Sequence, residues 1–310
     1  MVAFRETFGK SLVELGKKNK NVVVLDADLA SSTKTTYFAE EFPDRFIQCG
    51  ISEQNMIGVA AGLASCGKIP FVASFAVFVT KRPADQISIS VAYPKLNVKI
   101  IGAYAGLFNG KTGATHMAGE DIAIMRAIPG IVVIDPADVI ELSQAVEVIA
   151  DYYGPVYMRE TRDEWPGVFD SSYKFEIGKA ATVKDGDDAA IISCGVMTSE
   201  SLTAAEKLKA KGINVRVVNM STIKPIDREA VIKSAVETGA IVTCENHSIY
   251  GGLGSAVAEV LVEKACVPML RIGIKDVFSE CGTNKELLEK FQMSSSHIVE
   301  AVKKVMERKK

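Results

Sequence analysis

Histidine is scarce in this chain. Of 310 residues only His116, His247 and His297 carry an imidazole, and none stands in H-x-x-x-H or H-E-x-x-H spacing. That argues against a protein metal site, so no metal ligands are expected, and it leaves few groups that change charge near neutral pH. Cysteine pairs are lacking too. The six thiols, Cys49, Cys66, Cys194, Cys244, Cys266 and Cys281, are widely spaced with no C-x-x-C, most of them in apolar runs. Buried reduced thiols are expected rather than disulfides or zinc ligands. A G-x-S-x-G nucleophile elbow is missing as well. Neither sign of charge dominates: 36 basic against 38 acidic residues give a formal net charge of −2. Nucleic acid and anionic membranes therefore have no electrostatic case as partners. No apolar run reaches membrane-spanning length, and the opening Met1 to Glu6 meets charge at once, so neither a membrane segment nor a signal peptide is expected, and the location is expected to be cytoplasmic.

What is present is a soluble globular composition, 48% hydrophobic and 24% charged, with length enough for two cores. Phe4, Phe8, Leu12 and Leu15 space an amphipathic helix to about Lys18. Val22 to Leu25 is a continuous apolar strand, with Asp26-Ala-Asp-Leu29 at its carboxyl end, where ligands of open α/β sheets sit. Strands near 45–48, 69–73, 98–102, 131–134 and 156–158 alternate with helices. Repetition of that kind specifies an α/β fold with a doubly wound, mostly parallel sheet. Polar, turn-rich sequence follows, then a second, smaller α/β domain restarting at Ala189. The expected division is a first domain over 1–162, a linker over 163–180 and a second domain over 181–310.

The stretch from Gln48 to Gly62 organises the first half. It leaves a strand, turns at Gly50, caps at Ser52 and continues in small and apolar residues, which predicts a deeply buried helix with Glu53 in its first turn. Pairing with the helix dipole is the ordinary explanation of such an acid. Gly251-Gly-Leu-Gly254 could cradle a phosphate, but a tight turn packing helix on strand is the simpler reading. Glu245, Asn246 and His247, at a strand end, read as an interface rather than a site.

Six strings, taken in order and spacing, resemble one family: Asp26-Ala-Asp-Leu29 with Ser31 to Thr35, Gly50-Ile-Ser-Glu-Gln-Asn55, Ser74 to Phe78, Gly113-Ala-Thr-His-Met117, Asp135-Pro-Ala-Asp138, and Glu245-Asn-His247 with Gly251 to Gly254. Together they resemble the transketolases over nearly the whole chain, and in particular the C-terminal half of a split transketolase: the pyrimidine-binding domain plus the C-terminal domain. The β subunit of a 2-oxo acid dehydrogenase shares that two-domain plan, and a non-catalytic thiamine-fold subunit is the reading from another class.

The resemblance implies transfer of a two-carbon ketol unit between sugars with an anionic end, through thiamine diphosphate. It implies that Glu53 shares a proton with N1′ of the aminopyrimidine, that Phe75 and Phe78 pack on that ring, and that Asp28 lines the thiazolium side. It places His116 on the donor's oxygen, and Arg5, Ser32 and Arg162 on the anionic end, with Arg159 close behind Arg162. The family's Gly-Asp-Gly signature is missing, since Asp185-Gly-Asp-Asp188 does not fit it. Diphosphate and magnesium are therefore expected on an N-terminal partner subunit, in an α2β2 heterotetramer that also pairs two copies of this chain. Two positions depart from the pattern. Thr112 stands where the family has an aspartate, and Tyr104 where it usually has a second substrate-binding histidine.

Overall fold

Continuous apolar runs such as Val22 to Leu25 are what a strand buried on both faces requires, and they form the spine of two sheets. The computed structural model describes residues 3–309. Its first half runs α1 (Phe4–Lys18), β1 (Val22–Asp26), α2 (Ala30–Thr33), α3 (Thr36–Glu41), β2 (Phe46–Gln48), α4 (Glu53–Ser65), β3 (Ile69–Phe75), α5 (Ala76–Lys81), α6 (Ala84–Gln86), β4 (Lys99–Ala103), α7 (Asp121–Ala127), β5 (Val132–Ile134), α8 (Val139–Asp151) and β6 (Val156–Glu160). The second half runs β7 (Ala181–Lys184), β8 (Ala189–Ser193), α9 (Met197–Lys209), β9 (Val215–Asn219), β10 (Thr222–Lys224), α10 (Arg228–Thr238), β11 (Ile241–Ser248), α11 (Leu253–Lys264), β12 (Met269–Ile274), α12 (Asn284–Lys290) and α13 (Ser295–Met306).

The larger sheet has the order β10-β5-β6-β4-β3-β1-β2 and the smaller β12-β11-β8-β9-β7. All pairings are parallel except β10 with β5 and β7 with β9. The α/β class and the mostly parallel first sheet are as expected. The edge strands β7 and β10 were not, being too short to show a period. Strand β10 comes from the second half yet completes the first sheet, so the two halves share hydrogen bonds.

Buried polar groups fasten the halves further. The Arg159 guanidinium, 1% exposed, bonds Asp121 at 2.7 Å and Asp135 at 2.8 Å, and donates to the Asn246 carbonyl at 2.9 Å. Asn246 in turn accepts from the Leu107 amide at 2.9 Å. Glu245 accepts the Leu253 and Gly254 amides at 2.7 and 2.8 Å, so a carboxylate occupies the start of α11 and the glycine turn holds no phosphate cradle. A Cβ at Gly252 would run into that carboxylate, and at this position glycine is required.

Two expectations need correcting. Cys194 and Cys244 are buried, but Cys66, Cys266 and Cys281 are exposed, because they sit at helix ends and in a loop rather than within the apolar runs. Helix α4 is buried on one face only. Met56, Ile57, Ala60, Ala61 and Ala64 pack inward while Gln54, Asn55, Gly58, Gly62 and Ser65 are exposed. Small residues mimic a second apolar face in the sequence, but glycine contributes no side chain to bury.

Candidate active site

After β2 the chain stops adding strands on one side of β1 and adds β3 on the other. The crevice above such a reversal, at the carboxyl ends of the strands, is where open α/β sheets bind ligands. The residues at this edge fold over it in a fixed way. The buried carboxylate of Asp26 accepts from the Leu29 amide at 2.6 Å and from the hydroxyls of Thr33 and Thr35 at 2.9 and 3.0 Å. Burial pushes its carboxyl up from the ordinary range and these bonds pull it back. Asp28, exposed at φ 64°, donates its amide to Gln48 Oε1 at 2.8 Å, and the same oxygen takes the Gly50 amide at 3.1 Å. One glutamine thereby ties the ends of β1 and β2 and sets where α4 begins.

Glu53 is the first residue of α4 and is 4% exposed. Ser52 occupies the cap position, but its side chain accepts no helix amide, contrary to the expected cap. The Glu53 carboxylate instead accepts from Arg82 Nη1 at 2.6 Å. The guanidinium carbon of Arg82 lies 4.0 Å from the centre of the Phe78 ring. Phe75 and Phe78 stack at 5.8 Å, and His116 meets both edge-on, at 6.0 and 5.3 Å. His116 Nδ1 shares a hydrogen with the Thr115 hydroxyl at 2.8 Å, which leaves Nε2 for other partners. Asp28, Glu53, Phe78, Arg82 and His116 line one cleft of about 380 Å³.

Behind Phe75 lies Tyr104, stacked on it at 4.2 Å and held at φ 59°, a left-handed conformation uncommon for tyrosine. Strain of that kind concentrates at functional positions. Arg5 Nη1 donates to the Tyr104 hydroxyl at 3.0 Å, and the Arg162 guanidinium sits 5.3 Å from its ring centre. Two of the three residues read as holders of an anionic end therefore flank one aromatic side chain. Ser32, the third, lies half-buried on α2, one turn past Leu29 of the cleft wall. Arg159, the second choice for Arg162, faces the other side of the sheet as the buried strut already described. Arg159 lies within β6 and Arg162 two residues past its end, so their closeness in sequence does not bring them to one site.

The donor set suits a flat, nitrogen-bearing ring: a buried carboxylate to meet a ring nitrogen and phenyl faces to stack on. Among the described residues no cluster of three or more His, Cys, Asp or Glu is arranged to hold a metal ion. No helix of the described residues is long and apolar enough to cross a membrane.

Models of two domains match the chain, "Transketolase, pyrimidine binding domain" over residues 1–167 and "Transketolase, C-terminal domain" over 178–298. The chain belongs to the transketolase family. It is similar to the 6-deoxy-6-sulfo-D-fructose transketolase subunit SqwH of Clostridium sp., 45% identical over 98% of this chain and 95% of that one. It is also similar to a putative transketolase C-terminal section of Methanocaldococcus jannaschii, 48% identical over 99% and 96% of the two chains. A solved structure described as a split gene transketolase, inactive beta4 tetramer, superposes with TM-score 0.92 at 48% identity, covering 100% of this chain and 99% of that one. The two-domain make-up is thus that of split transketolase subunits, and family membership implies thiamine diphosphate as cofactor.

Several residues in and around this cleft leave little mark in the sequence. Arg82 stands four residues after Phe78, one helical turn away, which is the only trace it leaves in the sequence. Gln48 works through backbone amides, Asp26 through one amide and two threonine hydroxyls, and Glu160, wholly buried at the end of β6, makes no hydrogen bond with either carboxylate oxygen. No pattern marks those three.

Proposed function

We propose that this chain is the C-terminal subunit of a split transketolase that moves a two-carbon ketol unit from a ketose with an anionic end to an aldose acceptor. It does so with an N-terminal subunit that carries magnesium and the diphosphate of the cofactor, in an α2β2 assembly containing two copies of this chain. The observation that carries the reading is the meeting of Glu53, Phe75, Phe78 and His116, drawn from three separate segments, beside a Tyr104 that stacks on Phe75 and is contacted by Arg5 and Arg162.

Bound thiamine diphosphate supplies the electron sink that lets a bond beside a carbonyl break. The chain's own groups do the rest. Glu53 holds a proton at the ring nitrogen N1′, Phe75 and Phe78 fix the ring's plane, and Asp28 lines the neighbouring side of the cleft. His116 donates to or accepts from the donor's oxygen through Nε2. Arg5 and Arg162 take the anionic end, for which two guanidinium forks are suited whether the group is phosphate or sulfonate. Ser32 adds a hydroxyl from α2, one turn past Leu29. SqwH bears the name of a sulfosugar substrate, and Tyr104 and Thr112 in place of the family's histidine and aspartate fit a donor other than the ordinary pentose phosphates.

The test is transketolase activity of the reconstituted pair, with xylulose 5-phosphate, 6-deoxy-6-sulfofructose and pyruvate compared as donors. Activity with a ketose and none with pyruvate is expected, and none from this chain alone. Glu53→Ala is expected to abolish turnover without changing the circular dichroism spectrum; retained turnover overturns the role of Glu53.

A further inference from the structure

Arg82 makes two contacts that define its place: its guanidinium lies over the face of Phe78 at 4.0 Å and donates to the Glu53 carboxylate at 2.6 Å. A flat cationic group on a phenyl face, with an N–H directed at a buried acid, fulfils the requirements of a nitrogen heterocycle stacked on Phe78 and bonded to Glu53. Arg82, Phe78 and Glu53 line the same cleft, and the guanidinium covers the ring and takes Oε1 there, so a heterocycle entering from the cleft to the same face and the same oxygen has to displace it. We propose that Arg82 is an internal competitor for the seat of the aminopyrimidine, and that thiamine diphosphate binds only as the Arg82 side chain leaves it. The inference rests on the proposed function, since it takes Glu53 and Phe78 as the cofactor's partners.

The surroundings allow the exchange. Arg82 sits at the end of α5, and its carbonyl is held by Gln54 Nε2 at 3.1 Å, so the backbone stays in place while the side chain moves. That side chain is 45% exposed against 4% for Glu53. The arginine therefore has solvent to swing into, whereas the glutamate stays. The exchange also gives Glu53 a partner whenever the ring is elsewhere, so the buried carboxylate is never left unpaired. Apparent affinity for the cofactor is then the intrinsic affinity reduced by the fraction of molecules in which the seat is open.

Titration of thiamine diphosphate with magnesium into the reconstituted two-subunit complex, read by calorimetry, tests this. Arg82→Ala is expected to tighten binding by about tenfold, since its removal frees both contacts at the seat. Arg82→Lys keeps the charge but not the planar fork, and is expected to tighten it by less. Thermal unfolding of each variant, matching wild type to within a few degrees, shows that the fold is kept. Unchanged or weaker binding by a folded Arg82→Ala complex overturns the proposal while leaving the proposed function standing. Failure of the wild-type complex and of both variants to bind the cofactor overturns the two together.

Discussion

Arg5 and Tyr104, 99 residues apart, are joined by a hydrogen bond of 3.0 Å from Nη1 to the phenol oxygen. The contact pins the guanidinium of α1 beside a ring that β4 delivers at a left-handed backbone angle, with Arg162 on the same ring. An arginine already oriented loses less side-chain freedom when it takes an anion. Tyr104→Phe keeps the stack on Phe75 and removes only the hydroxyl. The expected result is a KM for the anionic donor raised by about tenfold with kcat little changed, the size of one hydrogen bond to a charged group. Steady-state kinetics of the reconstituted pair measure it, and an unchanged KM removes Tyr104 from the substrate side.

Arg159 is expected to matter for folding instead. It is a buried cation between two buried carboxylates, Asp121 at 2.7 Å and Asp135 at 2.8 Å. Truncating it leaves both acids without a counter-charge, and breaking such a buried cluster costs about 3–5 kcal/mol. Arg159→Ala should therefore lower stability by that order in urea unfolding. Arg162→Ala, at a half-buried position, should change stability by less than about 0.5 kcal/mol and act on KM.

The contrast between these two arginines shows where the sequence is legible. Strand and helix order could be read because buried parallel strands are continuous apolar runs, and the acid at Glu53 because it opens a helix of small and apolar residues. The strings that mark the candidate site could be read because the resemblance supplied them. Arg159 falls inside β6, where its partners Asp121 and Asp135 come from distant segments, while Arg162 falls past the strand end in irregular chain, and no local pattern tells which of the two turns to the core. Strand β10 lay beyond reach for another reason: its place in the first sheet depends on a pairing 88 residues away, Thr222 with Ile134, that no local pattern encodes. Arg82 is a third kind of omission. An arginine at a helix end reads as a solvated charge, and only the folded chain shows that it reaches Glu53.

Thr112, which the resemblance sets where the family has an aspartate, has a buried hydroxyl with no hydrogen-bond partner among the described residues. A hydroxyl that does nothing for the fold is available to a ligand. Thr112→Val, nearly the same in shape, should leave the melting temperature within a degree or two, since no intramolecular bond is lost. If the hydroxyl reads the donor, kcat/KM should fall by about tenfold, the worth of one neutral hydrogen bond in a buried site. Loss of stability with unchanged kinetics would place Thr112 in the fold alone.

Glu160 gives the pH dependence. Both its oxygens are buried without a hydrogen-bond partner, and burial pushes its carboxyl well above the usual carboxylate range, opposed only in part by the charge of Arg5. With the folded value raised above the unfolded one, the unfolded chain releases this proton first as pH rises. Between the unfolded pKa, about 4.3, and the raised folded value, the folded state binds more protons, so the contribution of Glu160 to stability falls as pH rises through that window. It is fully present only below about pH 4. Glu160→Gln cannot ionise and escapes the loss. The variant should match wild type near pH 4.5 and melt at a higher temperature at pH 7.5, so the difference between the two proteins should grow with pH. Thermal unfolding at the two pH values decides, and a variant less stable at pH 7.5 than at pH 4.5 relative to wild type would mean that the Glu160 carboxylate is charged and paired in the folded chain.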